Sequence, residues 1–394
     1  MANNLSSNIT RPLAKIFLEA FESSRVVTKT VNTQLLSGKF NPSTGTKVDF
    51  KRPHDYNTIR SAGGDISAAA KSDIIAGKAT GTVQEYFTAA TEWSNIQEAL
   101  ELDQLDQILE PMARRLVTDL ELDLAKFMRI NTGLNYGARG TAVDAWSDVA
   151  GAGAMMDSVG VPMSDNKYYL MNPFTTTSLA SAQNGLNAAD GLVRTAWEKA
   201  QISSNFGGMR ALTSNALSSY TSGSTTDRLG SLTSAPDATY VTAKDTMQQT
   251  LAIETLGTGT IAAGDQIQIA GVNRLNIATR QVMLDAAGAA VPWTGTVLST
   301  VTIAGNAASV VVSGAAIYEA NGQYNTVDAA PAISAVVTIL GTAATVYQPN
   351  LFYTEQAFGL GTVKLPKLYS TDTVATTSDG MSIRVSKYSD GDSN

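Results

Sequence analysis

The chain has 394 residues, 43% of them hydrophobic, which is enough for two or three domains at roughly 150 residues each. Only 16% are charged and the formal net charge is −7. A surface so poor in charge points to one covered by further copies of the chain, and the acidic balance argues against a protein that grips nucleic acid through its phosphates. There is no cysteine and one histidine, His54, which excludes disulfide frameworks, thiolate chemistry, two-histidine metal sites and any Ser-His-Asp triad not built on His54.

The N-terminus lacks a basic stretch followed by an apolar run, so it is not read as a signal peptide, and synthesis in a cytoplasm is the default. No apolar run approaches the length of about 18 residues that would cross a membrane. Pro12 to Glu22 carries Leu13, Ile16, Phe17 and Phe21 at helical spacing, giving either a short packed helix or an arm on a neighbouring subunit. Gly45 to Lys51 alternates strictly, with Val48 and Phe50 on one face, and predicts a half-solvated strand. Gly81 to Phe87 is expected to be its return strand. Between them, residues 53–78 show no sustained period, and a loop of about 25 residues without its own core is usually functional or disordered.

Residues 94–131 are the clearest helical region. Ser94 and Gln97 fit a capping box, Ile96, Leu100, Leu105 and Leu109 form an apolar stripe, and Pro111 predicts a break or kink near Glu110. Beyond it, Met112, Leu116, Leu120, Leu124 and Phe127 form the expected buried stripe, lying on a sheet of the same subunit. Arg115, Asp119 and Lys126 form the wet face, with Asp119, Glu121 and Asp123 read as solvated. Further on, helices are expected over Asp144–Ser158, Thr175–Gln183 and Asp190–Gln201, and strands over Lys167–Met171 and Met209–Thr213. Ser222 to Thr226 has the composition of a linker. From there to about Tyr347 the chain is rich in Val, Thr, Ala and Gly, with strands expected at Gln266–Ile269, Val297–Ile303, Ala308–Val312 and Ile333–Leu340. That is the pattern of an all-β barrel or sandwich inserted into a mixed domain. A last strand is expected over Met381–Tyr388.

Chemistry is not written in this sequence. Gly77-Lys78-Ala79-Thr80 lacks the Ser or Thr directly after the lysine that a phosphate loop needs. Gly359-Leu360-Gly361 reads as a turn, and His54 as a surface or interface residue. No enzyme, cofactor or metal site is expected. The informative charges are Lys47, Lys51, Arg52, Arg60, Lys71 and Lys78, with Asp55, Asp65 and Asp73 among them, all in or beside the coreless loop. They suit a solvated hairpin, or a tongue lying across the acidic face of an adjacent copy, with nucleic acid as a third reading. Lys51, Arg52, Arg60, Asp65, Lys71 and Lys78 are the candidate subunit-interface residues.

Several stretches resemble the major capsid (coat) proteins of short-tailed bacteriophages of enteric bacteria, in the branch with an inserted domain. They are Phe50-Lys51-Arg52-Pro53-His54, Gly64-Asp65-Ile66-Ser67, Gly77-Lys78-Ala79-Thr80-Gly81, Leu192-Val193-Arg194-Thr195-Ala196-Trp197-Glu198, Asn205-Phe206-Gly207-Gly208, Pro349-Asn350-Leu351-Phe352-Tyr353 and Leu365-Pro366-Lys367. The resemblance implies an α+β fold, the tailed-phage capsid fold of the Hong Kong ninety-seven type. Its parts would be an N-terminal arm (1–37), a long β-hairpin called the E-loop (38–90), a peripheral domain with a spine helix (91–140), an axial domain (141–220, returning over 348–394) and an inserted β-barrel (221–347). It further implies self-assembly into hexamers and pentamers as an icosahedral shell around double-stranded DNA, in the virion, after assembly in the host bacterial cytoplasm. Scaffolding protein, portal and terminase are the implied partners, and no membrane is involved. Pro111 and the Ser222–Thr226 segment are the candidate hinges for fitting one chain to both capsomers. Family members run past the strand expected to end near Tyr388, so either the chain is truncated or the last piece of the peripheral sheet is absent. The rival reading is a secreted or surface β-rich adhesin or layer protein.

Overall fold

The computed structural model describes residues 15, 17–33, 45–92, 105–184, 199–200, 202–363, 365–367 and 372–386. The expected Ser94 cap, the Ile96–Leu100 turn and most of the Asp190–Gln201 helix lie outside these residues. The chain divides into two compact units, one of residues 1–48, 81–125 and 354–394, the other of residues 49–80 and 126–353.

In the first unit, residues 17–24 are helical. Phe17 and Phe21 stack with ring centroids 6.4 Å apart and bury against Ala113, Val117 and Met381, with Leu116, Leu120, Leu360 and Ile383 half-buried around them. Ala113 and Val117 belong to the helix Leu105–Ile130, which runs unbroken through Pro111. The expected break is therefore corrected: a proline forgoes one backbone bond, here to the carbonyl of Gln107, and the flanking turns hold the helix. The buried stripe is also rotated from the one expected. Leu109, Ala113, Val117, Glu121, Ala125 and Arg129, four residues apart throughout, are each under 10% exposed, and Leu124 is buried as expected, while Met112, Leu116 and Leu120 are only half-buried at its edge. Phe127 is 55% exposed, because it lies about 200° round the helix from Ala125. The partner surface is the 17–24 helix and the C-terminal segment, not a broad sheet. That segment pairs Thr373–Thr376 with Ser382–Val385, the second strand being shorter than the expected Met381–Tyr388. Gly359 is extended rather than part of a turn, since Asn32 donates to Phe358 O at 2.9 Å and accepts from Leu360 at 3.0 Å.

The second unit holds a four-stranded sheet and a closed barrel. In the sheet, Lys167–Met171 runs parallel to Met209–Thr213, and both match the expected bounds. Helix Trp146–Val159 covers it with Val149, Ala152 and Met156, and ends at Gly160 in the left-handed region that favours glycine. The barrel has six antiparallel strands. Leu229–Leu232 lies between Gln248–Glu254 and Val336–Ile339; the last pairs with Gln266–Asn273, which pairs with Pro292–Val297, and Ala308–Ser313 closes the ring. Alternate residues point inward, so Leu251, Ile253, Ile267, Ile269, Val310, Val312, Val337 and Ile339 fill the interior around fully buried Trp293. Gly295 makes room for it, since a Cβ there would stand 2.6 Å from the Trp293 ring. The expected strand Val297–Ile303 is split, with Pro292–Val297 in the barrel and Val301–Thr302 in a separate two-stranded ladder.

Ser222 to Thr226 is not a loose linker. Ser222, Gly223 and Thr225 are buried, the Gly223 N–H donates to Asp265 Oδ2 at 2.9 Å, and Ser222 Oγ donates to Thr342 O at 2.6 Å. Neither candidate hinge is thus built as one.

Candidate subunit interface

The hairpin strands are Lys47–Lys51 and Lys78–Thr82. The return strand is shifted, beginning three residues before the expected Gly81 and ending at Thr82 rather than Phe87, while its partner keeps the alternation read from the sequence, with Val48 and Phe50 half-buried. Between the strands, residues 52–77 form an excursion with little regular structure, held at its base. Arg52 N donates to Gly77 O at 2.9 Å. Gly77 is buried because the backbone passes so close to its neighbours: a Cβ there would stand 2.8 Å from both Lys244 O and the Tyr240 hydroxyl. Tyr240 stacks on Tyr324 at 3.7 Å between centroids, and Ile75 packs against that pair. Gln323 Nε2 donates to Asp73 O at 2.5 Å, Asn57 Nδ2 to Asn321 O at 2.6 Å, and Arg280 pairs with Asp55.

The six residues singled out from the sequence fall into two groups. Lys78 and Arg52 belong to the base. Lys78 Nζ meets Asp49 Oδ2 at 2.8 Å, and that hydrogen bond and charge hold the ammonium pKa above its ordinary value. Arg52 is half-buried, with Nη2 3.5 Å from Asp245 O. Lys51, Arg60, Asp65 and Lys71 are exposed. Asp65 Oδ1 accepts the Ser67 N–H at 2.9 Å, which lowers its pKa. Charge alone therefore picked out a mixed set. What it missed is apolar: Tyr56 (56% exposed), Ile59, Ile66 and Ile74 (75%) stand in solvent along the same excursion. Their signal in the sequence was present, as large apolar residues in a stretch with no period to bury them. An exposed apolar set beside unpaired cations can bind a protein surface of acidic rim and apolar centre.

His54 is exposed. Among the described residues no group of three His, Cys, Asp or Glu could hold a metal ion, and no helix is long and apolar enough to cross a membrane.

Comparison with known proteins places the sequence. The family model described as "P22 coat protein - gene protein 5" matches residues 1–394. A protein named "Major capsid protein" from Acyrthosiphon pisum secondary endosymbiont phage 1 is 46% identical over 401 residues, covering 100% of this chain and 94% of that protein. Among solved structures, one titled "Mycobacterium phage Che8" aligns at 15% identity and TM-score 0.34 over 73% of this chain and 88% of that one. Another, titled "Capsid structure of the Cyanophage P-SCSP1u", aligns at 15% identity and TM-score 0.33 over 72% and 83%.

Proposed function

Because the chain belongs to the P22 coat protein family over its whole length, and is therefore a phage major capsid protein that forms the shell with copies of itself, we propose that the excursion between Lys51 and Lys78 is a principal contact between those copies. The protein is structural and non-enzymatic, and its place is the virion; family membership sets aside the adhesin or layer-protein reading.

The observation that carries the proposal is the exposure of Tyr56, Ile59, Ile66 and Ile74 on a segment whose base is fixed. Four large apolar side chains in water are a standing cost that a neighbouring copy removes. Arg60 and Lys71 lie among them in the sequence and suit the chain's acidic balance. In the finer arrangement we propose, the fold is of the Hong Kong ninety-seven type. The excursion serves as the E-loop, residues 1–37 as the arm, Leu105–Ile130 as the spine helix, and residues 221–347 as an insertion in the axial domain. The shell encloses double-stranded DNA after assembly in the host cytoplasm, with scaffolding protein, portal and terminase as partners. The net charge of −7 supports a lining that leaves a packaged genome mobile.

The double variant Arg60→Glu/Lys71→Glu tests the contact. Both side chains are exposed, so the melting temperature of the unassembled chain should stay unchanged while sedimentation shows few or no shells. Shells in normal yield from this variant would refute the loop as a contact, and a large loss of melting temperature would show that the two residues serve folding instead.

A further inference from the structure

We propose that the seat of the barrel holds one small inorganic anion, bound among the guanidinium groups of Arg129, Arg139 and Arg228.

The seat lies within one compact unit, where the segment after the long helix lies on the outer wall of the barrel. Thr294 Oγ1 donates to Gly133 O at 2.7 Å, Arg274 donates to the same carbonyl, and Gly133 and Gly314 meet almost backbone to backbone. Beside this contact the side chains are charged. The Arg129 guanidinium lies 4.6 Å from the centre of the Tyr220 ring, and Arg139 lies 5.7 Å from Tyr220 and 5.9 Å from Tyr347. Arg228 Nη1 stands 3.7 Å from Asp265 Oδ2, and Arg139 feels the charges of Asp265, Arg129 and Arg228 together.

The charges do not balance. Among the described residues the carboxylate beside these guanidiniums is Asp265, which reaches Arg228 and acts on Arg139; it is wholly buried, and its Oδ2 already accepts the N–H groups of Gly223 and Ala262. Arg129 is 9% exposed. Five buried N–H-bearing atoms here have no hydrogen-bond partner: Arg129 Nε and Nη1, Arg139 Nε, and Arg228 Nε and Nη1. The tyrosine rings cover guanidinium faces; of the edges, Arg139 Nη1 donates to the Tyr220 hydroxyl and Arg228 Nη2 to Ser222 Oγ and Gly223 O at 3.1 Å each, which leaves the five atoms above. Burial lowers the pKa of both Arg129 and Arg139, yet arginine does not shed its proton in a protein, so the excess charge stays and needs a counter-ion. Unpartnered acceptors are fewer: Asp265 Oδ1, Gln266 Oε1 and Thr296 Oγ1. Water bridging donors to these acceptors would satisfy some edges but leave the excess charge uncompensated. An anion does both, and planar guanidinium edges suit chloride or a compact oxyanion such as phosphate.

The test uses the unassembled full-length chain in gluconate, a bulky counter-ion, as the background salt. Titration calorimetry with chloride, and separately with inorganic phosphate, should show saturable binding of at least one of them. The half-exposed Arg139 allows the variant Arg139→Gln, which should weaken that binding at least tenfold while its melting temperature in gluconate stays near that of the wild type. A wild-type readout needs no variant: the chloride NMR line should broaden on adding protein and sharpen again if phosphate competes. Absence of saturable binding of both anions, or equal affinity in Arg139→Gln, would overturn the proposal and leave water as the bridge. A stabilisation by salt that never saturates and persists in the variant would be anion exclusion from the surface and would equally overturn it.

Discussion

Glu121 Oε1 accepts the backbone N–H of Val27 at 2.8 Å, although 94 residues separate the two. The same oxygen takes the N–H groups of Val26 and Thr28, so one carboxylate on the long helix caps the short 3-10 turn Val27–Lys29. Next to it, buried Arg25 forms a two-pronged pair with Asp379. Burial raises the Glu121 pKa from its ordinary 4.5, against the opposing pull of the three N–H groups and Arg25. A carboxyl whose folded-state pKa is raised stabilises most fully below its unfolded pKa and loses that contribution as pH climbs through the raised value. Glu121→Ala strands three donors and should cost about 2–4 kcal/mol, whereas Glu121→Gln keeps an acceptor and should cost under about 1 kcal/mol near pH 4.5. Urea melts at a series of pH values should show the glutamine variant gaining on the wild type as pH rises from 4.5. A gap that is independent of pH, or that moves the other way, would contradict this assignment.

The face of the long helix that is buried gives a second prediction. Leu124 is 8% exposed and Phe127 is 55% exposed. Leu124→Ala should cost about 2–5 kcal/mol, as buried leucine deletions do, and Phe127→Ala under about 1 kcal/mol, since little is left uncovered. Urea midpoints of the two unassembled variants decide it, and a costlier Phe127→Ala would put Phe127 rather than Leu124 on the buried face.

Gly77 sets the base of the excursion. A Cβ there meets backbone at Lys244 O as well as the Tyr240 hydroxyl, so Gly77→Ala must lift the strand start off its seat. Limited proteolysis should cut residues 53–77 several-fold faster in the variant, with a small change in the melting of the barrel. Unchanged cleavage would mean that the base is not held there.

The barrel has its own sealed core around Trp293, and the wall it presents to the seat is polar, with Thr294, Thr296 and Gln266. Removing the cover uncovers hydrogen-bonding groups at the seat, and apolar surface where Ile75 packs on Tyr240 and Tyr324. A fragment of residues 221–347 should stay soluble, give a β-type circular dichroism spectrum and melt cooperatively, with Trp293 emission shifting to the red on unfolding. A random-coil spectrum would count against an autonomous insertion.

What the sequence makes legible here follows from periodicity. Lys167–Met171 and Met209–Thr213 are apolar runs bounded by turns and were placed to the residue, as was the start of Ala308–Ser313. Helical spacing located the long helix, but Leu and Phe at i, i+4 outweighed the smaller Ala113 and Val117, whose low volume is what lets the 17–24 helix approach. Glu121 and Arg129 were invisible as buried residues, because charge reads as solvent unless its distant partner is known. The composition of Ser222–Thr226 reads as linker, yet its hydroxyls and amides meet Asp265 and Thr342, partners roughly 40 and 120 residues away. The candidate interface was found through its lysines and arginines, while the apolar side chains that now carry it lay in the same loop, unweighted.

A cryo-electron reconstruction of particles formed by the expressed chain tests the shell contact most directly. Tyr56, Ile59, Ile66 and Ile74 should lose most of their exposure against a neighbouring copy, with acidic groups of that copy facing Arg60 and Lys71. Shells in which residues 56–74 remain in solvent, contacting no other subunit, would contradict it.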